Sequence, residues 1–334
     1  MAQPDYPARA AAGVRALQRW YVRRTGLWKT AGWWNAANAL TAVIRYTRHT
    51  GDLSHAGVIE NTFTAARRRH AGFINQFLDD NGWWALAWVA AYDLTGESRY
   101  LGAARTIFAH NQSGWDDACG GGLWWNQQRT YKNAITSELF LTLAALLHQR
   151  TPGDREYRTW ALRQWEWLYA SGLIGPAGLV NDGLTPACAN NGGTTWTYNQ
   201  GVILGGLAAL YQITGDPAYL RHGEAIADAA LRTLTDPPGI LAEPCEPSGC
   251  NGDQTQFKGI FMRYLHDFFL HSGRPAYRAF ILANADSVWD NARNAAGQFG
   301  LRWGGPFDRA DASRQSSALE VLTAAAALTA QPSQ

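Results

Sequence analysis

Two adjacent carboxylates, Asp79 and Asp80, lie in a segment that is otherwise apolar and aromatic. The segment reads FLDDNGWW over 77–84 and continues as an apolar stretch through Tyr92. Because burying two ionised carboxylates side by side costs hydration and repulsion, one of them is expected to keep a proton. Such a divided pair can act as nucleophile and general acid at one bond. The alternative is a helix cap, since Asp is favoured before an apolar helix, but the flanking Trp83 and Trp84 favour the catalytic interpretation.

Tryptophan is the compositional outlier, with 16 residues in a chain of 334. Trp has a flat apolar face and a polar N–H, so it suits a sugar ring whose C–H groups pack on the indole while its hydroxyls hydrogen-bond at the rim. Core packing alone does not explain a Trp in a loop. Most of them fall in predicted loops or in the first turns of predicted helices: Trp28, Trp33, Trp34, Trp83, Trp84, Trp88, Trp115, Trp124, Trp125, Trp196 and Trp303.

Charge and hydropathy exclude several classes of partner. A net charge of +2 gives no electrostatic reason to bind nucleic acid or an anionic membrane. The sequence contains no apolar run of membrane-spanning length, and the first 25 residues are amphipathic and carry Arg, unlike a signal peptide. As written, the chain is expected to be a cytoplasmic monomer, or a secreted one if a leader has been trimmed.

The four cysteines do not resemble a metal site. Cys119, Cys188, Cys245 and Cys250 form no Cys-x-x-Cys pair, and no His clusters with them, so zinc is not expected. Cys245 and Cys250 bracket a short Glu-Pro-Ser-Gly loop and are spaced for a disulfide, which would indicate an oxidising compartment. Free thiols in a cytosolic protein are an equally good interpretation of the same pattern.

A helix break containing Gly recurs along the chain, as in Thr95-Gly96-Glu97-Ser98 and Thr214-Gly215-Asp216-Pro217. Gly favours the end of one helix, and Asp, Ser or Pro the start of the next. The pattern predicts a single domain over 1–334, an all-α (α/α)6 barrel of six inner and six outer helices. Amphipathic outer helices are predicted over 6–23, 53–77, 97–111, 154–171, 216–234 and 275–292, and inner helices, apolar nearly all round, over 34–47, 80–94, 133–149, 198–213, 256–272 and 313–329.

Long loops rich in Gly and Trp lead from outer to inner helices, over 24–33, 112–132, 172–197, 235–255 and 293–312. Long loops in a compact fold are usually functional. Each ends where an inner helix starts, so this end of the barrel is predicted to hold the site. Neutral amides and hydroxyls dominate there, which suits a hydroxyl-rich neutral ligand better than a phosphate, although a single Asn can equally be a helix cap. All three lysines of the protein also lie in these loops or helix starts. The side chains in question are Trp33, Trp34, Asn35, Lys132, Asn133, Tyr198, Asn199, Phe257 and Lys258.

Several segments together resemble glycoside hydrolase family 76, the endo-α-1,6-mannanase family. They are FLDDNGWW (77–84), WDD (115–117), CGGGLWW (119–125), YKNAI (131–135), VNDG (180–183), TYNQG (197–201) and FKGIF (257–261), in order over about residues 30–265. The resemblance implies an (α/α)6 barrel and a retaining mechanism, with Asp79 as nucleophile and Asp80 as general acid/base. The resemblance also implies that Asp182 contacts the substrate. The further predicted substrate contacts are the tryptophans Trp83, Trp84, Trp124 and Trp125.

The expected reaction is hydrolysis of α-1,6-linked mannan without a metal or an organic cofactor. Both carboxyls are expected to face one cleft because the first residue at a helix start keeps non-helical dihedrals. The alternatives are transglycosylation, which the resemblance suggests for fungal cell-wall members, and a non-catalytic glycan-binding barrel, which would keep the tryptophans without needing the Asp pair. Epimerases and lyases with this fold generally use His or Tyr bases, and none of the eight His residues lies in a motif-rich helix start.

Overall fold

The computed structural model describes residues 4–330, and within them it contains twelve α-helices and one short β-hairpin. No helix in that range combines the length and the apolarity that a bilayer crossing requires. The helices are α1 (Tyr6–Gln18), α2 (Trp33–Thr50), α3 (Gly57–Ala66), α4 (Leu78–Thr95), α5 (Ser98–Gln112), α6 (Ala134–Gln149), α7 (Glu156–Ala170), α8 (Thr197–Thr214), α9 (Ala218–Thr233), α10 (Phe257–Ser272), α11 (Pro275–Asn291) and α12 (Ala312–Thr329), and the strands are β1 (Tyr21–Val22) and β2 (Leu27–Trp28).

Even-numbered and odd-numbered helices differ in how much of their surface is buried. In α6, nearly every residue from Ala134 to Leu147 is buried, because the helix is apolar on all sides. In α9, by contrast, burial is confined to one face, which includes Ile226 and Ala230. The predicted alternation of the two kinds of helix is therefore confirmed.

The described chain forms two compact units. The first combines the residues up to 67 with 234–269 and those from 273 onward, and the second comprises 68–233 with 270–272. Helices α4 to α9 thus belong to the second unit, and α1 to α3, α11, α12 and most of α10 to the first. A single domain over 1–334 stays a prediction.

Three of the outer helices are followed by the same closed turn, which leads the chain back towards an inner helix. In each turn a backbone bridge is held by an amide side chain; Gln200, for example, accepts from the Val180 backbone N–H at 2.8 Å and donates to its carbonyl at 2.8 Å. Satisfying the loop backbone in this way keeps the long loops fixed on the helices. The bridges are Ile174–Val180, Thr235–Leu241 and Arg293–Phe299.

Two outer helices are shorter than predicted. Helix α1 ends at Gln18 rather than 23, because the chain turns into the β1–β2 hairpin, where Gly26 takes a φ of 67°. The predicted helix over 53–77 is only α3, which ends at Ala66. Three arginines follow, a composition favoured at helix C-termini. Gly72, with a φ of 66°, then prevents the helix from continuing.

Both cysteine pairs form disulfides, and no cysteine among the described residues is free. Cys245 and Cys250 pair across 5 residues with a Cα–Cα distance of 5.1 Å, so the free-thiol interpretation is wrong. The sequence analysis did not predict the second bond, between Cys119 and Cys188, which are 69 residues apart. It ties the loop after α5 to the loop before α8. Disulfides form and persist mainly in oxidising compartments.

Candidate active site

Asp79 and Asp80 both lie in the first turn of α4. The residue before the helix is Phe77, whose extended backbone (φ −98°, ψ 119°) makes it the N-cap, so the expectation of a non-helical dihedral at the Asp pair is wrong. The helix start is held from two sides: Leu78 donates its backbone N–H to the Trp125 carbonyl at 2.8 Å, and its carbonyl accepts from Asn111 at 2.7 Å. The position of the pair is therefore set by two neighbouring segments.

The two carboxyls have different surroundings. Burial, followed by the charge of Asp80, raises the pKa of Asp79 well above its ordinary value, and a hydrogen bond with Trp125 acts in the opposite direction. The Oδ1 atom of Asp79 is shielded from solvent and has no hydrogen-bond partner. Asp80 accepts from the Asn75 side-chain amide at 2.7 Å. A raised pKa on one of two neighbouring carboxyls favours a divided pair, with one protonated and one ionised member, the requirement for a combined acid and nucleophile.

Short backbone bridges connect the start of α4 with the start of α6. Phe77 pairs with Asn126, Trp124 with Lys132, and Asn133 with Gly183. The chain segments that carry the Asp pair, the Trp124–Trp125 pair and Asp182 therefore lie next to one another. In this second unit, the structure brings together the catalytic and substrate-binding candidates that the sequence places far apart.

Asp182 anchors a polar cluster next to these backbone bridges. Its Oδ2 accepts from the Tyr131 hydroxyl at 2.6 Å, and Asn191 donates to that hydroxyl at 2.8 Å. Burial raises the pKa of Asp182, while hydrogen bonds from Tyr131 and Trp196 act against the rise. The sequence analysis does not identify Tyr131 or Asn191 as candidate contacts. Trp196, one of the loop tryptophans, stands directly before the start of α8.

A buried acid in α6 was also missed. Glu138 is fully buried and both of its carboxyl oxygens lack a hydrogen-bond partner; burial and then the charge of Asp182 raise its pKa well above the ordinary value. On the adjacent α8, Asn199 is fully buried too, and both atoms of its amide are unpartnered. The only sequence signal for Glu138 is a lone acid within an apolar helix. Asn199 lies too deep for direct contact with a polymer at the surface.

Lys132 holds the loop after α5 instead of facing a ligand. Its ammonium is buried and donates to the Asp116 carboxylate at 2.8 Å and to the carbonyls of Ala118 and Gly121 at 2.5 and 2.6 Å. It also lies 4.9 Å from the centre of the Trp124 ring. An ammonium has three donors, and these partners use them, so we replace its predicted role as a substrate contact with one in positioning the loop.

Lys258 has a similar role in the first unit. It is 1% exposed and donates to Glu246 at 2.5 Å and to the Leu301 carbonyl at 2.7 Å. The ring of Trp303 lies 4.8 Å from its ammonium. The predicted contact of Lys258 with substrate is replaced by the same positioning role.

The loop anchor gives a stability prediction. Replacing Lys132 by Met keeps its length but removes the buried ammonium that binds Asp116 and two carbonyls, so the free energy of unfolding is expected to fall by about 3 kcal/mol. Urea denaturation measures this change. Lys29→Met is the matched control because Lys29 is exposed, and equal stability of the two variants would contradict the anchor.

Several predicted aromatic contacts are core residues. Trp84 is 0% exposed, and its ring centre lies 5.0 Å from that of Phe73 and 5.8 Å from that of Trp88. Trp83 at 2% and Trp33 at 8% are buried as well. An indole that is buried to this extent cannot offer its face to a sugar. For these three tryptophans, the prediction of a substrate contact is corrected to a packing role.

The remaining candidates divide by exposure. Trp34 is partly exposed and donates its indole N–H to Asp253 at 2.9 Å, with the buried Phe257 ring 6.1 Å away. Asn133 is a buried helix cap that accepts from the Thr136 N–H at 3.4 Å, and Asn35 is buried behind Trp34. Among the predicted substrate contacts, the aromatic side chains that keep an accessible surface are Trp34, Trp124, Trp125 and Tyr198.

Metal ligands are not grouped in this structure. Within residues 4–330, no set of three or more His, Cys, Asp or Glu side chains is arranged to hold a metal ion.

Comparison with known proteins adds to this geometry. The family model described as glycosyl hydrolase family 76 matches residues 14–334. A mannan endo-1,6-alpha-mannosidase of Candida albicans is 30% identical over 259 residues, which cover 70% of this chain and 57% of that protein. The chain spans about three fifths of the length of the curated relatives it matches.

Solved structures are similar over nearly the whole chain. An inactive variant of an alpha-1,6-mannanase of Salegentibacter sp., in complex with alpha-1,6-mannotriose, has 26% identity and a TM-score of 0.87, covering 97% of this chain and all of that one. The Lin0763 protein of Listeria innocua has 28% identity and a TM-score of 0.86, with 97% of each chain covered. The fold class is the predicted all-α (α/α)6 barrel. The chain belongs to glycosyl hydrolase family 76.

Proposed function

We propose that this protein is a glycoside hydrolase that cleaves α-1,6-mannosidic bonds in mannan with retention of configuration. The observation that carries the proposal is the Asp79–Asp80 pair in the first turn of α4, where burial and the charge of Asp80 raise the pKa of Asp79 beside Trp125. Retaining glycosidases require carboxyls about 5–5.5 Å apart, a separation that neighbouring aspartates can adopt. The helix N-terminus further favours the ionised member.

The proposed reaction has two steps. Asp79 attacks the anomeric carbon and forms a covalent mannosyl ester, while Asp80 transfers its proton to the departing glycosidic oxygen. Asp80, now ionised, then removes a proton from water as that water attacks the anomeric carbon, which releases Asp79 and gives a product of unchanged configuration. Asn75, which donates to Asp80, is in place to orient the second carboxyl.

These roles require the proton to change place before the glycosidic bond breaks. In the free protein, the raised pKa of Asp79 favours the proton on that carboxyl. Positive charge that develops at the anomeric carbon favours the ionised form of the carboxyl beside it, and the glycosidic oxygen needs the proton on the other. We therefore infer that the proton moves from Asp79 to Asp80 as the transition state for glycosidic cleavage is approached.

The substrate class is supported by two observations outside the pair. The curated relative and the structural neighbour carry the names of an endo-1,6-alpha-mannosidase and an alpha-1,6-mannanase, and the inactive form of the neighbour has asparagine at two consecutive aspartate positions. In this chain, partly exposed Trp125 and Tyr198 and the amide Asn191 suit a neutral sugar polymer.

A product analysis tests the proposal. Incubation with unbranched α-1,6-mannan is expected to release reducing ends and short α-1,6-oligomannosides. Products longer than the substrate would indicate transglycosylation, and an unsaturated product that absorbs in the ultraviolet would indicate a lyase. Binding of mannan without any product would indicate a non-catalytic glycan-binding protein and would contradict the proposed hydrolase activity.

The neighbouring Trp33 and Trp34 give a paired prediction. Replacing partly exposed Trp34 by Ala is expected to weaken oligomannoside binding by roughly 1–3 kcal/mol at an unchanged melting temperature, because an aromatic face for the sugar is lost. Replacing buried Trp33 by Ala is expected to lower the melting temperature, because a core cavity forms.

Calorimetric titration with oligomannosides and thermal melts of the two variants measure these effects. Unchanged affinity of Trp34→Ala would assign that indole to packing. An affinity loss confined to Trp33→Ala would reverse the assignment of the two side chains.

A further inference from the structure

A cavity lies in the unit that carries the Asp pair, apart from the start of α4. It has a volume of about 440 Å³ and opens between the C-terminal half of α7 and the loop that follows α5. This volume falls within the range of small-molecule sites, about 300–1,000 Å³. The side chains that the argument uses are those of Trp115, Arg163, Glu166 and Trp167.

The aromatic wall of this cavity is held rigidly. Trp167 donates its indole N–H to the Cys119 carbonyl at 3.0 Å, and the Cys119–Cys188 disulfide fixes that part of the loop. A Cβ added to Gly122 would lie 2.4 Å from the Trp167 ring, so only glycine permits this approach of indole and backbone. The wall is therefore formed before any ligand arrives, which lowers the ordering cost of binding.

The rim supplies one cation and one anion that do not pair with each other. The guanidinium of Arg163 lies 4.4 Å from the centre of the Trp115 ring and 5.0 Å from that of Trp160, which fixes its position. Glu166 follows three residues later on the same helix and is exposed. Within residues 4–330, neither side chain forms a hydrogen bond or an ion pair. Their polar atoms thus remain available to a ligand.

This set of groups selects among ligand classes. Arg163 donates hydrogen bonds and Glu166 accepts them, which is the complement of neighbouring hydroxyls on a sugar, and the partly exposed Trp115 side chain suits its C–H groups. A phosphate or another anion would be repelled by Glu166. A purely apolar ligand would leave both charges desolvated without partners.

We propose that this cavity is an accessory glycan-binding site that holds a mannosyl unit of a polymer away from the Asp79–Asp80 pair. The identity of the sugar rests on the proposed function. The cavity and the site share one loop: Asp116, next to Trp115, binds Lys132 at 2.8 Å and accepts from the Trp124 indole at 2.7 Å. A polymer held here would keep further repeats close to the protein after each cleavage, through a high effective concentration.

Affinity electrophoresis in gels that contain α-1,6-mannan tests the site. The Asp79→Asn background prevents degradation of the polymer, and Arg163→Ala and Glu166→Gln are compared in it with Arg158→Ala, an exposed Arg on α7 outside the cavity. The expected result is a weakening of polymer retention by about fivefold for the two cavity variants and none for the control. All of these side chains are exposed, and thermal melts verify that the variants fold.

A parallel assay separates this inference from the proposed function. With Asp79 and Asp80 intact, the Arg163→Ala variant is expected to cleave α-1,6-mannotetraose at the same rate as the unaltered protein. If the tetraose is cleaved but retention is equal in all variants, the accessory site is overturned and the hydrolase stands. If retention depends on Arg163 but no tetraose is cleaved, the accessory site stands and the hydrolase is overturned. Absence of both retention and cleavage overturns both.

Discussion

Replacing Asp79 or Asp80 by Asn is expected to abolish turnover of α-1,6-mannan while the fold is retained. Loss of the nucleophile at Asp79 should lower kcat by about 10,000-fold or more, and loss of the acid/base at Asp80 by about 100- to 10,000-fold. Reducing-end assays at substrate saturation measure both. Asp290→Asn is a suitable control because Asp290 is an exposed carboxyl on α11.

Substrates with an activated leaving group distinguish the two roles. An aryl glycoside of α-1,6-mannobiose with a good leaving group needs little protonation, so Asp80→Asn is expected to recover much of the first step, whereas Asp79→Asn is not. Recovery by Asp79→Asn alone would exchange the roles. Near wild-type turnover of mannan by either variant would remove the pair from the mechanism.

The Asp79→Asn substitution is also expected to stabilise the fold. The pKa of Asp79 is raised in the folded state, so as pH rises from the ordinary carboxyl pKa to this raised value, the unfolded chain loses its proton first and stability falls. At pH values above that window, the cost of burying the ionised Asp79 carboxyl persists. Asp79→Asn removes it, and its melting temperature should therefore exceed that of the wild type at neutral pH but not under strongly acidic conditions. A lower melting temperature at neutral pH would contradict the burial of this carboxyl.

The two disulfides are expected to contribute unequally to stability. Cys119 and Cys188 are 69 residues apart, so their bond restricts the unfolded chain more than that of Cys245 and Cys250, which are 5 apart. Loop-closure entropy predicts a loss of about 4 kcal/mol for the double Ala variant of the first pair and about 2 kcal/mol for that of the second. Urea unfolding of the oxidised proteins measures both.

Each double variant serves as the control for the other, since each removes two thiols and one bond. Mass spectrometry of the unreduced, alkylated protein is expected to find no labelled thiol. Labelling of Cys119 and Cys188 would contradict the long-range bond, and a larger loss of stability for the Cys245–Cys250 variant would contradict the entropic explanation.

The helices could be predicted because one local signal repeats along the chain. The α4 and α8 breaks at Gly96 and Gly215 both have a φ near 72°, a conformation that Gly adopts without cost, so the helix ends could be placed from sequence. The same reasoning does not predict where α3 ends. Its end depends on the three arginines after Ala66 and on the turn at Gly72, which carry no hydrophobic period.

The site could be predicted only in part, because exposure depends on tertiary packing. Trp34 and Trp84 have similar sequence surroundings, each the second of a Trp pair near a helix start, yet one is partly exposed and the other is enclosed by Phe73 and Trp88. The position of Lys132 at a helix start predicts a substrate contact, but its partners at Ala118 and Gly121 are backbone carbonyls, which no sequence motif identifies.

The anomeric configuration of the first product tests the central claim most directly. Proton NMR during cleavage of α-1,6-mannan, at times shorter than mutarotation, follows the new reducing end. A double displacement by Asp79 and Asp80 predicts that the α-anomer forms first, and that the β-anomer appears later through mutarotation. Initial formation of the β-anomer would show a single displacement by water and would contradict the retaining pair.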